Sequence, residues 1–295
     1  MKKIKLPDSS VTPIQQYLKI RNTKRNPTKS VLCGSHAYIA ERYAHLDEAV
    51  VASKKVDLVE EDPSGWTIKD ALCSCYESET KALRNLLNEI KKLRQDGSGK
   101  YCPMCGAATP KTFDHYFPRA TFPEYAVHVW NLIYTCGTCN SKKGDIYKSN
   151  SVIGERAFIH FYVDDIPDVP FIRADIIETE DSPFFGVEFR LVQLPEIDEY
   201  IWRLILQHFS NLDLLGLYAE VVNDEISTSI EIVYNAVASG ANARQFLEMQ
   251  TKTERRRFGV SHWRAALLES MTNHPHLEKW IQAFADQKKP TGSQC

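Results

Sequence analysis

The chain has 295 residues, 43% apolar and 25% charged, with a formal net charge of −2. That is the mix of a soluble globular protein of one large domain or two modest ones, and it excludes a collagenous or disordered chain. No apolar run approaches the length of a membrane span, and the net charge is not the footprint of a general nucleic-acid binder.

From Met1 to about Gly34 the chain is polar and basic, with Pro7, Pro13 and Pro27, and reads as an arm with a short helix near Ile14–Ile20. Its first residues, MKKIKLPDSS, carry charge with no apolar stretch behind them, so no secretory signal is expected. Ser35 to Ser53 reads as helix, with Ala37, Ala40, Ala44 and Leu46 recurring among charges. A turn is predicted at Asp62-Pro63-Ser64-Gly65. Trp66 to Arg94 reads as a longer helical stretch, because Leu83, Leu86, Leu87, Ile90 and Leu93 fall at three- and four-residue steps. The polar run Gln95–Lys100 ends it. Cys73 and Cys75, with Cys33 upstream, read as buried thiols rather than a second metal site, since C-x-C is not the common knuckle spacing.

The stretch Tyr101–Asp145 concentrates the chemistry. Two C-x2-C pairs, Cys102/Cys105 and Cys136/Cys139, supply four thiolates, the closed shell of a structural zinc site. Thirty residues separate the pairs, longer than in a compact finger, so the insert must fold as something. A disulfide framework is the competing reading, disfavoured without a secretory signal, and a redox motif would need one pair rather than two. The same free-thiol pattern suits a reducing, cytoplasmic compartment. Within the insert stands Asp114-His115, and Asn140 follows the second pair directly. Neighbours in a strand diverge, so at a strand end one of the pair can hold a metal while the other faces a water. Oxygens from Asp114 and Asn140 suit Mg²⁺ or Mn²⁺, which take hard oxygen ligands. His115, neutral near pH 7, can take a proton from the attacking water. Asn131 lies midway and is expected to orient the His115 ring by a hydrogen bond; Lys142 or Lys143 is expected to hold a phosphate. From Glu79 to Lys148 there are eleven Lys and Arg against six Asp and Glu, a surplus of five, so the remainder carries −7. The surplus coincides with the motif, where a phosphate substrate would sit, but is modest enough to expect help from a partner.

Beyond it the texture changes. Phe158–Val163, Phe171–Ile177 and Phe184–Val192 read as strands of a small antiparallel sheet, the third with Phe185, Val187, Phe189 and Leu191 on one face. His160 and Asp164-Asp165 read as a structural histidine and a turn. From Pro195 the chain is helical: a stripe of Ile201, Leu204, Ile205 and Phe209, then Leu214–Ala238, Ala241–Arg257 and Trp263–Ala285, the last two divided at Gly259. Arg255-Arg256-Arg257 is either a solvated helix end or a contact for phosphates or an acidic partner, and the tail QKKPTGSQC reads as disordered.

The order of these features resembles a family. A C-x2-C, then D-H-x-x-P, N-L and C-x2-C-[HN]-x-x-K is the pattern of the HNH (ββα-metal, His-Me finger) endonucleases. It is met by Cys102/Cys105, Asp114-His115 with Pro118, Asn131-Leu132, and Cys136/Cys139 with Asn140 and Lys143. The resemblance implies His115 as general base, Asp114 and Asn140 as ligands of a catalytic Mg²⁺ or Mn²⁺, Asn131 as the residue positioning the base, and a structural Zn²⁺ on the four cysteines. Many members carry His where this chain has Asn140, a change that favours Mg²⁺ or Mn²⁺ over nitrogen-preferring metals. More loosely, DHYFPRATFPEYAVHVWNL and RRRFGVSHWRAALLESM are similar to HNH effectors of bacterial anti-phage systems of the Septu type. That implies a nucleic-acid substrate, DNA before RNA, and a protein partner such as an ATPase. The expectation is an α+β chain in four parts: a helical N-terminal region (1–98), a zinc-braced ββα core (99–150), a small β region (151–194) and a helical C-terminal region (195–295). The alternative is a non-catalytic zinc module that binds nucleic acid or protein.

Overall fold

The structure, a computed structural model, describes residues 3–4, 11–52, 60–93, 98–150, 152–178 and 185–288. Among these it is a mixed α+β chain of eleven α-helices and two small antiparallel sheets, and no helix is long and apolar enough to cross a membrane. It falls into two units, one of Lys2–Ile166 with Arg203–Leu212, the other of Pro167–Trp202 with Asp213–Cys295. The four expected segments are thus grouped differently: the N-terminal helices belong with the cysteine-rich stretch, and the region 151–194 is divided between the units.

The first unit begins with helices α1 (Pro13–Asn22), α2 (Thr28–Gly34) and α3 (His36–Ala52). Thr12 and Gln15 form a reciprocal capping box at α1, with Pro13 in the first turn where its missing N–H costs nothing. The helix expected over Trp66–Arg94 is instead a 3₁₀ turn followed by α4 (Lys69–Glu77) and α5 (Lys81–Lys92). The break has a local cause: Ser78 is extended, and the Thr80 hydroxyl accepts the N–H of Leu83 to start a new helix. The α5 stripe holds, with Leu83, Leu86 and Ile90 buried, and it lies against β2.

Strand β1 (Thr112–His115) pairs antiparallel with β2 (Leu132–Thr135), Asp114 opposite Ile133 and His115 opposite Leu132. Helix α6 (Gly137–Lys143) follows and packs on β1. The succession is strand, strand, helix. Two buried ion pairs brace it: Arg42 with Glu124 at 2.8 Å, and Arg156 with both oxygens of Asp164 at 2.7 and 3.0 Å. The second is bidentate; both fix geometry at the cost of desolvating their partners.

The strand expected over Phe158–Val163 does not form; the segment is a buried turn. Asp164 accepts the backbone N–H of His160, whose own carbonyl accepts the N–H groups of Val163 and Asp164. Tyr116 stacks edge-on against His160 at 4.4 Å. The backbone bonds a strand would need are spent within the turn, and the aromatic run reflects burial rather than pairing. His160 and Asp164 are therefore structural, as expected. The C-terminal part of α7 (Glu199–Leu212) closes this unit, with Leu204, Ile205 and Phe209 buried.

In the second unit β3 (Ile172–Glu178) and β4 (Phe185–Leu191) form a hairpin in register Ile172 to Leu191. Phe185 and Phe189 are its most buried β4 positions, on the expected face. Helix α8 (Leu214–Ala238) packs on β4, and α9 (Ala243–Phe258) pairs with α10 (Trp263–Asn273), which also covers β3. The helix expected over Trp263–Ala285 is two, α10 and α11 (Leu277–Lys288). Pro275 is the reason: it has no N–H to donate and pushes His274 into the extended region, where it is found at φ −77°, ψ 137°. In the arginine run, Arg255 is engaged internally by Glu269 at 2.8 Å. The expected disordered tail lies, from residue 289, outside the described residues.

Candidate active site and metal centre

The two C-x2-C pairs converge. Cys102, Cys105, Cys136 and Cys139 are all buried, and their four sulfurs lie within 4.8 Å of one another. Each pair sits on a tight knuckle. The first closes where the Cys102 N–H donates to the carbonyl of Ala108 at 2.7 Å, with Gly106 taking the left-handed φ of 67° that the turn demands. In the second, Cys136 caps α6, its sulfur accepting the N–H of Cys139. The Thr135 hydroxyl lies 2.8 Å from the Cys102 sulfur. Four buried thiols in this arrangement can hold a structural metal such as zinc. No comparable cluster forms among Cys33, Cys73 and Cys75: Cys75 is a buried thiol as expected, Cys73 is half-buried and Cys33 is exposed.

The segment Arg203–Leu212 ties this centre to the rest of its unit. His208 Nε2 donates to the carbonyl of Met104 inside the first knuckle at 2.9 Å, and Asn211 donates to Ala157. Lys142 donates to the carbonyl of Leu212.

A cavity of about 520 Å³ is lined by Asp114, His115 and Asn140 together with Lys69, Tyr76, Glu77 and Arg119. The three residues read from the sequence as a site thus share one cleft. His115 ends β1, where its ring donates from Nε2 to the carbonyl of Ala126 at 2.9 Å. A carbonyl can only accept, so the neutral ring carries its proton on Nε2 and keeps Nδ1 basic. Burial, with help from the charges of Arg119 and Lys143, pulls the imidazolium down to about 3, against the opposing Ala126 bond. Asp114 is 1% exposed, and burial pushes its carboxyl up to about 6 despite the nearby Lys143. Its Oδ1 is 3.2 Å from Lys143 Nζ, while Oδ2 is buried without a hydrogen-bond partner among the described residues. Asn140, at the centre of α6, donates its amide to the Thr112 hydroxyl at 3.3 Å, which leaves its oxygen available. An orphaned carboxylate oxygen and an amide oxygen, on two residues that line one cleft, are the donor types a hard divalent cation takes.

Three sequence expectations change in detail. Asn131 does not bond the His115 ring. Fully buried, it accepts from the N–H of Phe117 at 2.6 Å and donates to the carbonyls of Phe117 and Tyr125. It therefore clamps the loop that ends in Ala126, and the Ala126 carbonyl meets the ring. Lys143 does not line the cleft: it is fully buried and donates to the carbonyl of His115 at 2.7 Å beside its contact with Asp114. Nor does Lys142, held on Leu212. The cations that line the cleft are Lys69 and Arg119.

Sequence reasoning did not find the α4 wall. Tyr76 stacks edge-on to His115 at 4.5 Å, and the Arg119 guanidinium lies over the Tyr76 ring at 5.0 Å. Arg119 also pairs with Glu77 at 3.0 Å, and Lys69 donates to the carbonyl of Ala120. The α4 residues lie some forty positions before Asp114-His115, and nothing in their local pattern marks them out.

No family model matches the chain, and no solved structure matches it. A stretch of 69 residues is 38% identical to Protein ea31 of Escherichia phage lambda. The match takes in 23% of this chain and 22% of that protein, so the likeness is confined to about a fifth of each.

Proposed function

We propose that this protein is a metal-dependent endonuclease of the HNH kind, hydrolysing phosphodiester bonds of nucleic acid, DNA before RNA. The observation that carries the reading is one cleft lined by His115, whose Nδ1 lone pair is left free because Nε2 is bonded to the Ala126 carbonyl, by Asp114 with its orphaned carboxylate oxygen, and by Asn140 with its amide oxygen. The order of strand, strand and helix, braced by four buried thiols, supports it further.

In this reading Asp114 and Asn140 hold Mg²⁺ or Mn²⁺, which when bound supplies neutralising charge at the phosphate and the leaving oxygen. His115 Nδ1 accepts the proton of the attacking water, and burial keeps the ring unprotonated at neutral pH so that it is ready to do so. The Ala126 carbonyl fixes the ring, and Asn131 fixes the loop that presents Ala126. Arg119, only partly committed to an exposed carboxylate, receives the substrate phosphate in place of Glu77. The Cys102, Cys105, Cys136 and Cys139 thiolates hold Zn²⁺ as a structural brace. The modest basic surplus around the site motivates a protein partner, such as an ATPase, that delivers or licenses the substrate.

The test is cleavage of plasmid DNA and of total RNA with Mg²⁺ or Mn²⁺ and with EDTA, comparing wild type with His115→Ala. Metal-dependent cutting that disappears in the variant supports the reading and identifies the substrate class. Undiminished cutting by His115→Ala removes His115 as the base. A chain that binds nucleic acid but cuts neither substrate, alone or with its partner, leaves the non-catalytic zinc module.

A further inference from the structure

The break at Pro275, which separates α10 from α11, places two histidines on either side of a proline and opposite the end of β3. One ligand atom each from His274, His276 and Glu178 lies within 4.8 Å of the others. We propose that these three side chains form a second metal site, independent of the cysteine cluster and of the nuclease reading, which takes a borderline divalent cation of the Zn²⁺ class.

The donor set argues for the class. Two imidazoles and one carboxylate suit zinc, nickel or copper better than Mg²⁺ or Ca²⁺, which demand oxygen. Three protein ligands leave a coordination position for water or an outside donor.

The arrangement is held in place by groups that are not themselves ligands. Trp280 is buried, and it orients two of the three. Its indole N–H donates to Glu178 Oε1 at 3.2 Å, and its ring stacks on His274 at 4.6 Å and 25°. Arg244 holds the backbone of the loop, donating to the carbonyls of Thr272 and His274. The N–H of His276 donates to Nδ1 of His274 at 3.2 Å, a bond that fixes the ring and that a cation held by this nitrogen would replace. Nδ1 of His276 is already 2.7 Å from a carboxylate oxygen of Glu178, an interaction that a cation would replace. An ordinary surface ion pair needs neither the second histidine nor the tryptophan behind both.

A cation here would clip the end of β3 to the junction of α10 and α11. Because Glu178 and His276 are exposed, exchange with solvent metal would be fast compared with the buried cysteine cluster.

The experiment uses the full chain, loaded with zinc and brought to equilibrium by dialysis against micromolar free Zn²⁺, with bound metal counted as the excess over the dialysate. The wild type should carry one equivalent more than His276→Gln and Glu178→Gln, whatever the cysteine cluster holds, and these exposed substitutions should leave the circular dichroism unchanged. Affinity for the extra equivalent should fall by about 10–100-fold or more in each variant. Co²⁺ added to wild type from which the fast-exchanging zinc has first been dialysed away should give weak d–d bands without thiolate charge transfer, and no such bands in His276→Gln. Equal metal content in wild type and variants, or an extra equivalent whose cobalt spectrum shows thiolate bands, would overturn the assignment.

Discussion

The Lys143 ammonium lies 3.2 Å from Asp114 Oδ1 and 2.7 Å from the carbonyl of His115, with no exposed surface of its own. One buried cation thus touches both residues of the Asp-His pair. It neutralises a carboxylate that burial would otherwise protonate, and it pins the end of β1 by the backbone. Removing it strands a buried charge, a change that costs about 3–5 kcal/mol when one partner of a buried pair is removed. Lys143→Met should destabilise the chain in urea by that order and push the Asp114 carboxyl higher still. Lys142→Met, which removes an exposed amino group held on one carbonyl, should cost well under half as much.

Asn131 gives a second stability prediction, with a distinct chemical signature. Its amide fills one acceptor and two donor roles toward Phe117 and Tyr125. Asn131→Asp keeps the acceptor but turns a carboxylate toward two carbonyls. Each buried group left unsatisfied costs about 1–3 kcal/mol. Asn131→Asp should therefore be no more stable than Asn131→Ala, and both should lose cleavage because the Ala126 carbonyl is no longer held against His115. A near-native Asn131→Asp protein would show that the clamp does not depend on the amide protons.

Arg119 and Glu77 separate substrate binding from folding. Their pair is partly exposed, so breaking it should change stability by less than about 1 kcal/mol. Arg119→Ala should nonetheless weaken nucleic-acid binding and flatten its salt dependence by about one unit of log–log slope for each phosphate no longer neutralised. Glu77→Gln should leave cleavage intact or raise it. Filter binding over a range of salt, with cleavage rates beside it, checks both.

Metal removal should act on the first unit through its cysteines. Cys136→Ser removes one of the four sulfurs that would hold the zinc, and the one that caps α6. In small zinc domains metal binding supplies about 10–16 kcal/mol toward folding. Titration of the thiols with an organomercurial should therefore release zinc and collapse the near-ultraviolet signal of the aromatic cluster around Tyr116, Phe117 and Phe122 together. Zinc release that leaves this signal unchanged would show the unit stands without its brace.

His160 predicts acid sensitivity. Burial, together with the Arg156 charge, pulls its pKa down to about 4, against Asp164, which favours the charged ring. An unfolded histidine titrates near 6.5. A depressed folded value contributes stability above the unfolded pKa that is lost as pH falls toward the folded one. The window is thus about pH 6.5 down to 4, and the loss is on the order of 2–3 kcal/mol. His160→Phe, which keeps the aromatic packing on Tyr116 and removes the titration, should be flatter over that window in a stability-against-pH series.

Sequence alone determined what is periodic or contiguous. The α5 stripe, the long helix Leu214–Ala238, the alternating face of β4 and the two cysteine knuckles are written in neighbours a few positions apart, where local geometry decides the outcome. The pairing of Asp114-His115 with Asn140 across one cleft was legible for the same reason: a short motif carries them. Breaks set by single residues were harder to read, since the helical pattern runs through Ser78–Thr80 and Pro275 while capping and a missing N–H interrupt it. Only the tertiary structure decided that Asn131 clamps a loop, that Lys143 is buried against Asp114, and that α4 supplies Tyr76 and Arg119's partner Glu77 to the cleft wall. These relations join residues up to some forty positions apart, or depend on which side of an element is desolvated. Burial and hydrogen-bond accounting across the packed unit settle them, and no local pattern encodes either.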